Sequence, residues 1–282
     1  TRPDDPYMWS MFRYGLMILV GPGVFTAAFG PPDPGSYTEV PFLMADPGHP
    51  FDAFWGGVGL WKVHYDTGTN AWSYTRLGVI DFSDDLVERV CGLGISPVDR
   101  NYWYLATSYG RIFTSANGGA AWVLRSLNGP TALGPAPTPL TRVTVTPSLT
   151  NALECTFAGS DGSMGPVVRT TNGGASFTAL ATGLPAGTVV WDMAYDNNVD
   201  ETLFAATDKG PFRLMGGAWE DMAPAYNPFS VPEVPFHSVE SIPSQAVMRF
   251  GTWGRGFYDY ATGAVSGVAD GGAPGTPLAI AG

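Results

Sequence analysis

Apolar residues in this chain come in short runs, with no helical stripe. Each run closes on a Gly, Pro, Asp or Asn turn, and a second run follows at once. Six such pairs align: ILVGPGVFTAAF (residues 18–29), AFWGGVGLWKVHYD (53–66), YLATSYGRIFTSANGG (104–119), TFAGSDGSMGPVVRTTNGG (156–174), LFAATDKGPFRLMGG (203–217) and MRFGTWGRGFYDYATG (248–263). Two apolar runs about a Gly-containing turn read as a β-hairpin. The turn glycines are Gly23, Gly59, Gly110, Gly165, Gly210 and Gly256, at spacings of 36, 51, 55, 45 and 46. A second motif repeats in phase: MADPGHP, ISPVDRN, VTPSLTN, AYDNNVD and SIPSQ precede the second to sixth pairs. Each ends an apolar strand in a turn, so every unit holds at least one more strand ahead of the hairpin.

A period of this size, repeated through the chain, suits a four-stranded blade. The pattern predicts an all-β protein, a single β-propeller of four-stranded antiparallel blades. Six blades are expected; seven, or part of a larger ring, are the alternatives. The propeller should occupy residues 1–263, with strand 7–12 opening the first blade. Residues 264–282, AVSGVADGGAPGTPLAIAG, are small and nearly uncharged, and read as a Gly/Ala/Pro-rich C-terminal linker or tail. Residues 127–141 form a Pro-rich excursion between blades.

Composition agrees. Gly (37), Pro (25) and 13% aromatic residues among 282 favour many turns and short strands. The net charge is −11 with two lysines, Lys62 and Lys209, and no basic run; a nucleic-acid partner would need a basic face. The most apolar stretch, residues 16–29, is broken by Gly21-Pro22-Gly23 and is too short to span a bilayer. The chain begins at Thr1, as a processed product or fragment would, and shows no signal peptide. Cys91 and Cys155 are expected as buried free thiols, with one disulfide as the alternative.

The turn after the third strand is the most specific feature. Residues 170–177, TTNGGASF, fit S/T-x-D/N-x-G-x-S/T-W/F at every position, through Thr170, Asn172, Gly174, Ser176 and Phe177. Residues 115–122, SANGGAAW, keep Ser115, Asn117, Gly119 and Trp122 but have Ala121 for the hydroxyl residue. In such a turn the Asn side chain bonds backbone N–H groups, Gly supplies positive φ, and the aromatic ring anchors the hairpin. These residues are therefore read as structural. The pattern resembles the Asp-box (BNR-type) repeat propellers, the group of sialidases, sortilin-type receptors and xyloglucan-degrading hydrolases, over residues 40–262. The sequence WGRGFYDY at 253–260 is similar to the final blade of bacterial members, while HYDTGTNAW at 64–72 looks kelch-like. The resemblance implies a secreted or cell-surface protein. The tail resembles linkers ahead of C-terminal sorting or anchoring domains.

Catalytic signatures are missing. No GxSxG or HExxH occurs. The early Arg-Ile-Pro setting of sialidases is absent, and no carboxylate pair can be assigned among Asp81, Asp84, Asp85, Asp192, Asp208 and Glu240. His49, His64 and His237 are isolated, so no metal site is indicated. Asp161-Gly162-Ser163 and residues 196–200 offer oxygens to calcium but lack a complete loop motif; no cofactor is expected. The Gly turns should share one rim, where Trp55, Tyr109, Arg111, Asp208, Trp253 and Arg255 would hold a protein or carbohydrate partner. The expected role is a non-enzymatic binding or structural module of a larger extracellular assembly, with a glycoside hydrolase as the alternative.

Overall fold

The computed structural model describes residues 8–12, 15–21, 24–31, 42–83, 85, 87–131, 142–159, 162–197, 201–222 and 234–262. The C-terminal tail at 264–282, most of the Pro-rich excursion, Asp84, Asp161 and residues 198–200 lie outside them. Six antiparallel sheets follow one another along the chain. The first is β1 (Met8–Phe12), β2 (Gly15–Gly21) and β3 (Val24–Phe29). The second is β4 (Phe42–Ala45), β5 (Asp52–Gly56), β6 (Leu60–Asp66) and β7 (Ala71–Arg76). The third is β8 (Val90–Ile95), β9 (Trp103–Thr107), β10 (Ile112–Ser115) and β11 (Val123–Ser126). The fourth is β12 (Thr144–Pro147), β13 (Cys155–Ala158), β14 (Val167–Thr170) and β15 (Thr178–Ala179). The fifth is β16 (Val190–Tyr195), β17 (Leu203–Thr207), β18 (Gly210–Met215) and β19 (Ala218–Asp221). The last is β20 (Phe236–Ile242), β21 (Val247–Thr252) and β22 (Phe257–Ala261). The first and last sheets have three strands among the described residues, where four were expected; the middle four match.

The core is divided between neighbouring sheets. Leu16, Trp55 and Val63 pack between the first and second. Phe54, Leu93, Trp103 and Phe113 pack between the second and third. Tyr104, Cys155 and Phe157 follow between the third and fourth, Val167, Met193 and Phe212 between the fourth and fifth, and Phe204, Phe236 and Phe250 between the fifth and sixth. Both cysteines are buried free thiols in this core. The first strands β4, β8, β12, β16 and β20 line a central channel of about 720 Å³. Sheets packed face to face around an axis, first strands inward, make a β-propeller. Glycine lets the inner strands meet: a Cβ at Gly92 would lie 2.1 Å from the Val143 carbonyl oxygen, and one at Gly94 2.7 Å from the Pro147 ring.

Turns alternate between two faces. One face carries the turns between first and second strands and between third and fourth. Here the second sheet is clamped to the third, the fourth to the fifth and the fifth to the sixth. Arg100 donates to Asp46 at 2.6 Å. Glu201 accepts from Ser148 Oγ at 2.6 Å, the Leu149 N–H at 2.7 Å and Thr150 Oγ1 at 2.6 Å. Asn197 N–H donates to Ser241 Oγ at 3.3 Å. On the same face, Asn117 Oδ1 accepts the Ala121 N–H at 2.8 Å and Asn172 Oδ1 the Ser176 N–H at 2.9 Å. Ser115 Oγ and Thr170 Oγ1 each accept a glycine N–H, from Gly119 and Gly174, at 2.9 Å. Only the second turn adds Asn172 Nδ2 to Ser176 Oγ, at 2.8 Å, because Ala121 has no hydroxyl. The rings of Trp122 and Phe177 are partly buried, against Phe82 and Phe157 respectively. The opposite face carries the turns between second and third strands and the connections from sheet to sheet.

Candidate binding site at one mouth of the central channel

Three inner strands break register where they enter the channel on this opposite face. The shifts fall between Val90 and Gly92, Val190 and Asp192, and Phe236 and Ser238. A bulge inserts one residue and re-aims a side chain. The inserted residues are Cys91, Trp191 and His237, and all three line the channel. Across from each bulge the second strand ends in Thr107, Thr207 or Thr252. The Thr207 and Thr252 hydroxyls pin the following turn by donating to the Gly210 and Gly256 carbonyls, at 2.7 and 2.9 Å.

The bulges in β16 and β20 build an aromatic stack. The Trp191 and His237 rings lie 5.0 Å apart at an interplanar angle of 30°. Trp253, from the turn of the last sheet, stands 5.5 Å from His237 on a tilted plane. Trp253 is 70% exposed. Burial lowers the His237 pKa from its ordinary value, which favours the neutral ring. The Trp191 Nε1–H is buried and has no acceptor among the described residues, a donor that burial normally leaves unpaired only at a cost.

Charged groups complete the mouth. Arg89 and Arg142 border the channel where the third and fourth sheets begin. Arg142 donates to Asp192 Oδ1 at 2.5 Å. Asp192 also accepts from Thr144 Oγ1 at 3.2 Å, the Val239 N–H at 3.3 Å and the Met193 N–H at 3.0 Å. Burial raises its pKa, with the Arg142 guanidinium opposing the shift. Its carboxylate is thus an anchored acceptor that fixes Arg142.

Of the residues expected on the rim, Trp253 borders this channel. Arg255 is exposed in the same turn. Trp55 is fully buried between the first and second sheets, because its strand parity turns it toward Leu16 and away from the rim. Arg111 grips the buried Glu88 through Nε at 2.9 Å and a terminal nitrogen at 2.6 Å. Tyr109 donates to Asp85 at 2.9 Å; the backbone N–H groups of Glu88 and Val87 hold the Asp85 carboxyl at about 2. Asp208 accepts the Val189 N–H at 2.8 Å and pairs with Lys209 at 3.1 Å. Sequence reasoning missed Trp191, Arg89 and Arg142 as site residues and read His237 only as an isolated histidine. The available signal was position: each opens an inner strand, hence lies at the same rim as the Gly turns. Among the described residues no cluster of three His, Cys, Asp or Glu side chains could hold a metal ion, and no helix is long and apolar enough to cross a membrane.

No family model matches the chain, and neither does any curated protein. Solved structures do. The chain is similar to the GH74 xyloglucanase from Xanthomonas campestris, at 14% identity and TM-score 0.58, covering 92% of this chain and 44% of that one. It is similar to the β-propeller domain of Cps50 (Swd1) from Myceliophteria thermophila, at 9% identity and TM-score 0.57, covering 89% and 78%. It is also similar to YCF48 bound to D1 peptide, at 15% identity and TM-score 0.50, covering 90% and 68%. The chain spans less than half the length of the GH74 enzymes it matches. At such identities the likeness carries the fold alone, and that fold is the β-propeller.

Proposed function

We propose that this β-propeller is a secreted or cell-surface, non-enzymatic binding module of a larger extracellular assembly, and that it takes its ligand at the channel mouth built by Trp191, His237, Trp253, Arg89 and Arg142. One observation carries the reading: three register breaks deliver side chains to one mouth, and two of these join an exposed tryptophan in a stack beside two arginines. Bulges of this kind recur beside functional sites, and a few polar groups in an aromatic cavity of ~300–1,000 Å³ are typical of ligand pockets. The Asn117 and Asn172 turns support an Asp-box type of propeller, which favours the extracellular assignment. Against hydrolysis stands the state of Asp192. Glycoside cleavage needs two carboxyl groups about 5–10 Å apart, one to donate a proton and one to attack or activate water; of the two carboxyl groups that line the channel among the described residues, Asp192 and Glu240, Asp192 has its oxygens taken by four donors.

The test is twofold. Purified protein is expected to give no turnover on fluorogenic sialosides or xyloglucan, and to be retained on a glycan or peptide array in a manner lost in Trp253→Ala. Turnover that disappears in Asp192→Asn would establish the hydrolase reading instead. Retention unchanged in Trp253→Ala would remove the mouth as the site.

A further inference from the structure

Among the described residues, four of the six sheets end in a fourth strand, while the first ends in its third, β3, and the last in β22. β3 pairs with β2 alone among these residues. Alternate residues of a strand turn their N–H and C=O groups away from a given neighbour, so the outer edge of β3 offers a row of backbone donors and acceptors. Proteins blunt such edges with charge, proline or short length. The other outer strands of this propeller do so. β7 ends in Arg76, β11 carries Arg125, β19 carries Glu220 and Asp221, β22 carries Asp259, and β15 is two residues long. β3 reads VFTAAF, six residues without a charge or a proline. Val24 and Phe25 are 56% and 53% exposed, and Ala27 is exposed beside them. We infer that β3 is an association edge, and that it pairs antiparallel with the β3 of a second copy of this chain.

The composition of the strand selects this occupant. An open edge accepts a strand, and an uncharged strand meets no repulsion from its own copy. Pairing centred on Thr26 sets Thr26 against the partner's Thr26 and Phe25 against the partner's Ala27. Directly opposed residues share a face of the sheet, where hydroxyl pairs and aromatic–apolar pairs are favourable. Within the chain, Phe25 stands opposite Leu19 and Ala27 opposite Met17. The row that crosses the joint is therefore Leu19, Phe25, the partner's Ala27 and the partner's Met17, and the two-fold axis repeats it in the other direction. Every member is apolar. Pairing β3 with the β22 of another copy would instead bring Asp259 to the joint and leave an open edge at each end, the arrangement that grows into filaments. Each copy brings one β3, so self-pairing closes at a dimer. This edge belongs to the outermost strand of its sheet, apart from the channel mouth, and its use does not depend on what the mouth binds.

The experiment is sedimentation velocity of the whole chain from about 1 to 100 μM, the range in which a small interface comes apart. Expected is growth toward twice the 29.9 kDa of one chain, with amide exchange along β3 slowing as concentration rises. Phe25→Lys and Ala27→Lys, both at exposed positions, should each weaken the dimer about tenfold or more, by setting a charge in the apolar row. Leu124→Lys, on the β11 edge that already carries Arg125, serves as the control with unchanged association. Near-ultraviolet circular dichroism checks that each variant folds. A chain that stays monomeric throughout would overturn the proposal. So would association untouched by Phe25→Lys and Ala27→Lys, or lost instead in Phe257→Lys at the β22 edge. Amides of β3 that already exchange slowly in the dilute monomer would place the covering strand within the chain itself, and would overturn the proposal as well.

Discussion

Replacing Arg111 by Ala separates a rim ligand from a structural strut. Arg111 makes two charge-assisted bonds to Glu88, donates to the Phe82 carbonyl at 2.8 Å, and lies 5.6 Å over the Phe113 ring. The Thr107 hydroxyl also donates to Glu88. The Glu88 side chain is 2% exposed and that of Arg111 is 15%, so water cannot replace the lost partner. Removing one member of a buried pair leaves an uncompensated charge, at a cost of about 3–5 kcal/mol. At roughly 2–4 °C per kcal/mol for a domain somewhat smaller than this one, the melting temperature should fall by at least about 6 °C. Urea unfolding of Arg111→Ala, Glu88→Gln and the double variant forms the cycle. The double variant should be more stable than Arg111→Ala, because Gln carries no charge to strand. A loss below about 1 kcal/mol in Arg111→Ala, or strict additivity in the cycle, would refute the buried pair and return Arg111 to the list of ligand residues.

Two further outcomes follow from the core. Gly92→Ala places a methyl group 2.1 Å from the Val143 backbone oxygen, and overpacking of this kind costs about 1–3 kcal/mol or more, readable as a lower urea midpoint with the slope unchanged. Burial pushes the Cys91 thiol up to about 12 and Cys155 well above its ordinary value. Native protein at pH 8 should therefore leave a disulfide reagent unreacted while unfolded chains titrate two thiols. Because the folded thiol holds its proton longer than the unfolded one, this contribution to stability is intact below about pH 8.5. It falls as pH rises toward 12, an effect that Cys91→Ala should reduce.

The repeat was legible because it is written in turns. Gly110, Gly165 and Gly256 stand in second-to-third strand turns and Gly210 opens the third strand just past one, all at positive φ, whereas Gly59 holds the same place without it. Local turn chemistry at Asn117 and Asn172 needs only neighbouring residues and is visible in a short window. The site was harder to read because it depends on parity and on distant partners. Trp55 and Trp253 look alike beside their turn glycines, yet one lies inside a strand against Leu16 and the other in the turn itself. Arg111 resembles a rim residue until Glu88, across the inner edge of the same sheet, is brought to it. Trp191 and His237 reach the channel through bulges, and a one-residue register break leaves no mark in an apolar run such as VVWDM.

The clamps and the channel mouth occupy opposite faces. Arg100, Glu201 and Asn197 join sheet to sheet next to the turns between first and second strands, whereas the fourth strands β7, β11 and β19 end on the other side. The separation has one exception, the Asp192 network, which ties Arg142 and Thr144 of the fourth sheet and Val239 of the sixth to the fifth at the mouth itself. Mouth residues outside that network, such as Trp253, can change, and with them the choice of ligand, while the clamps of the far face stay untouched. Substitution in the turn that carries Trp253 is the natural route to a propeller of altered recognition.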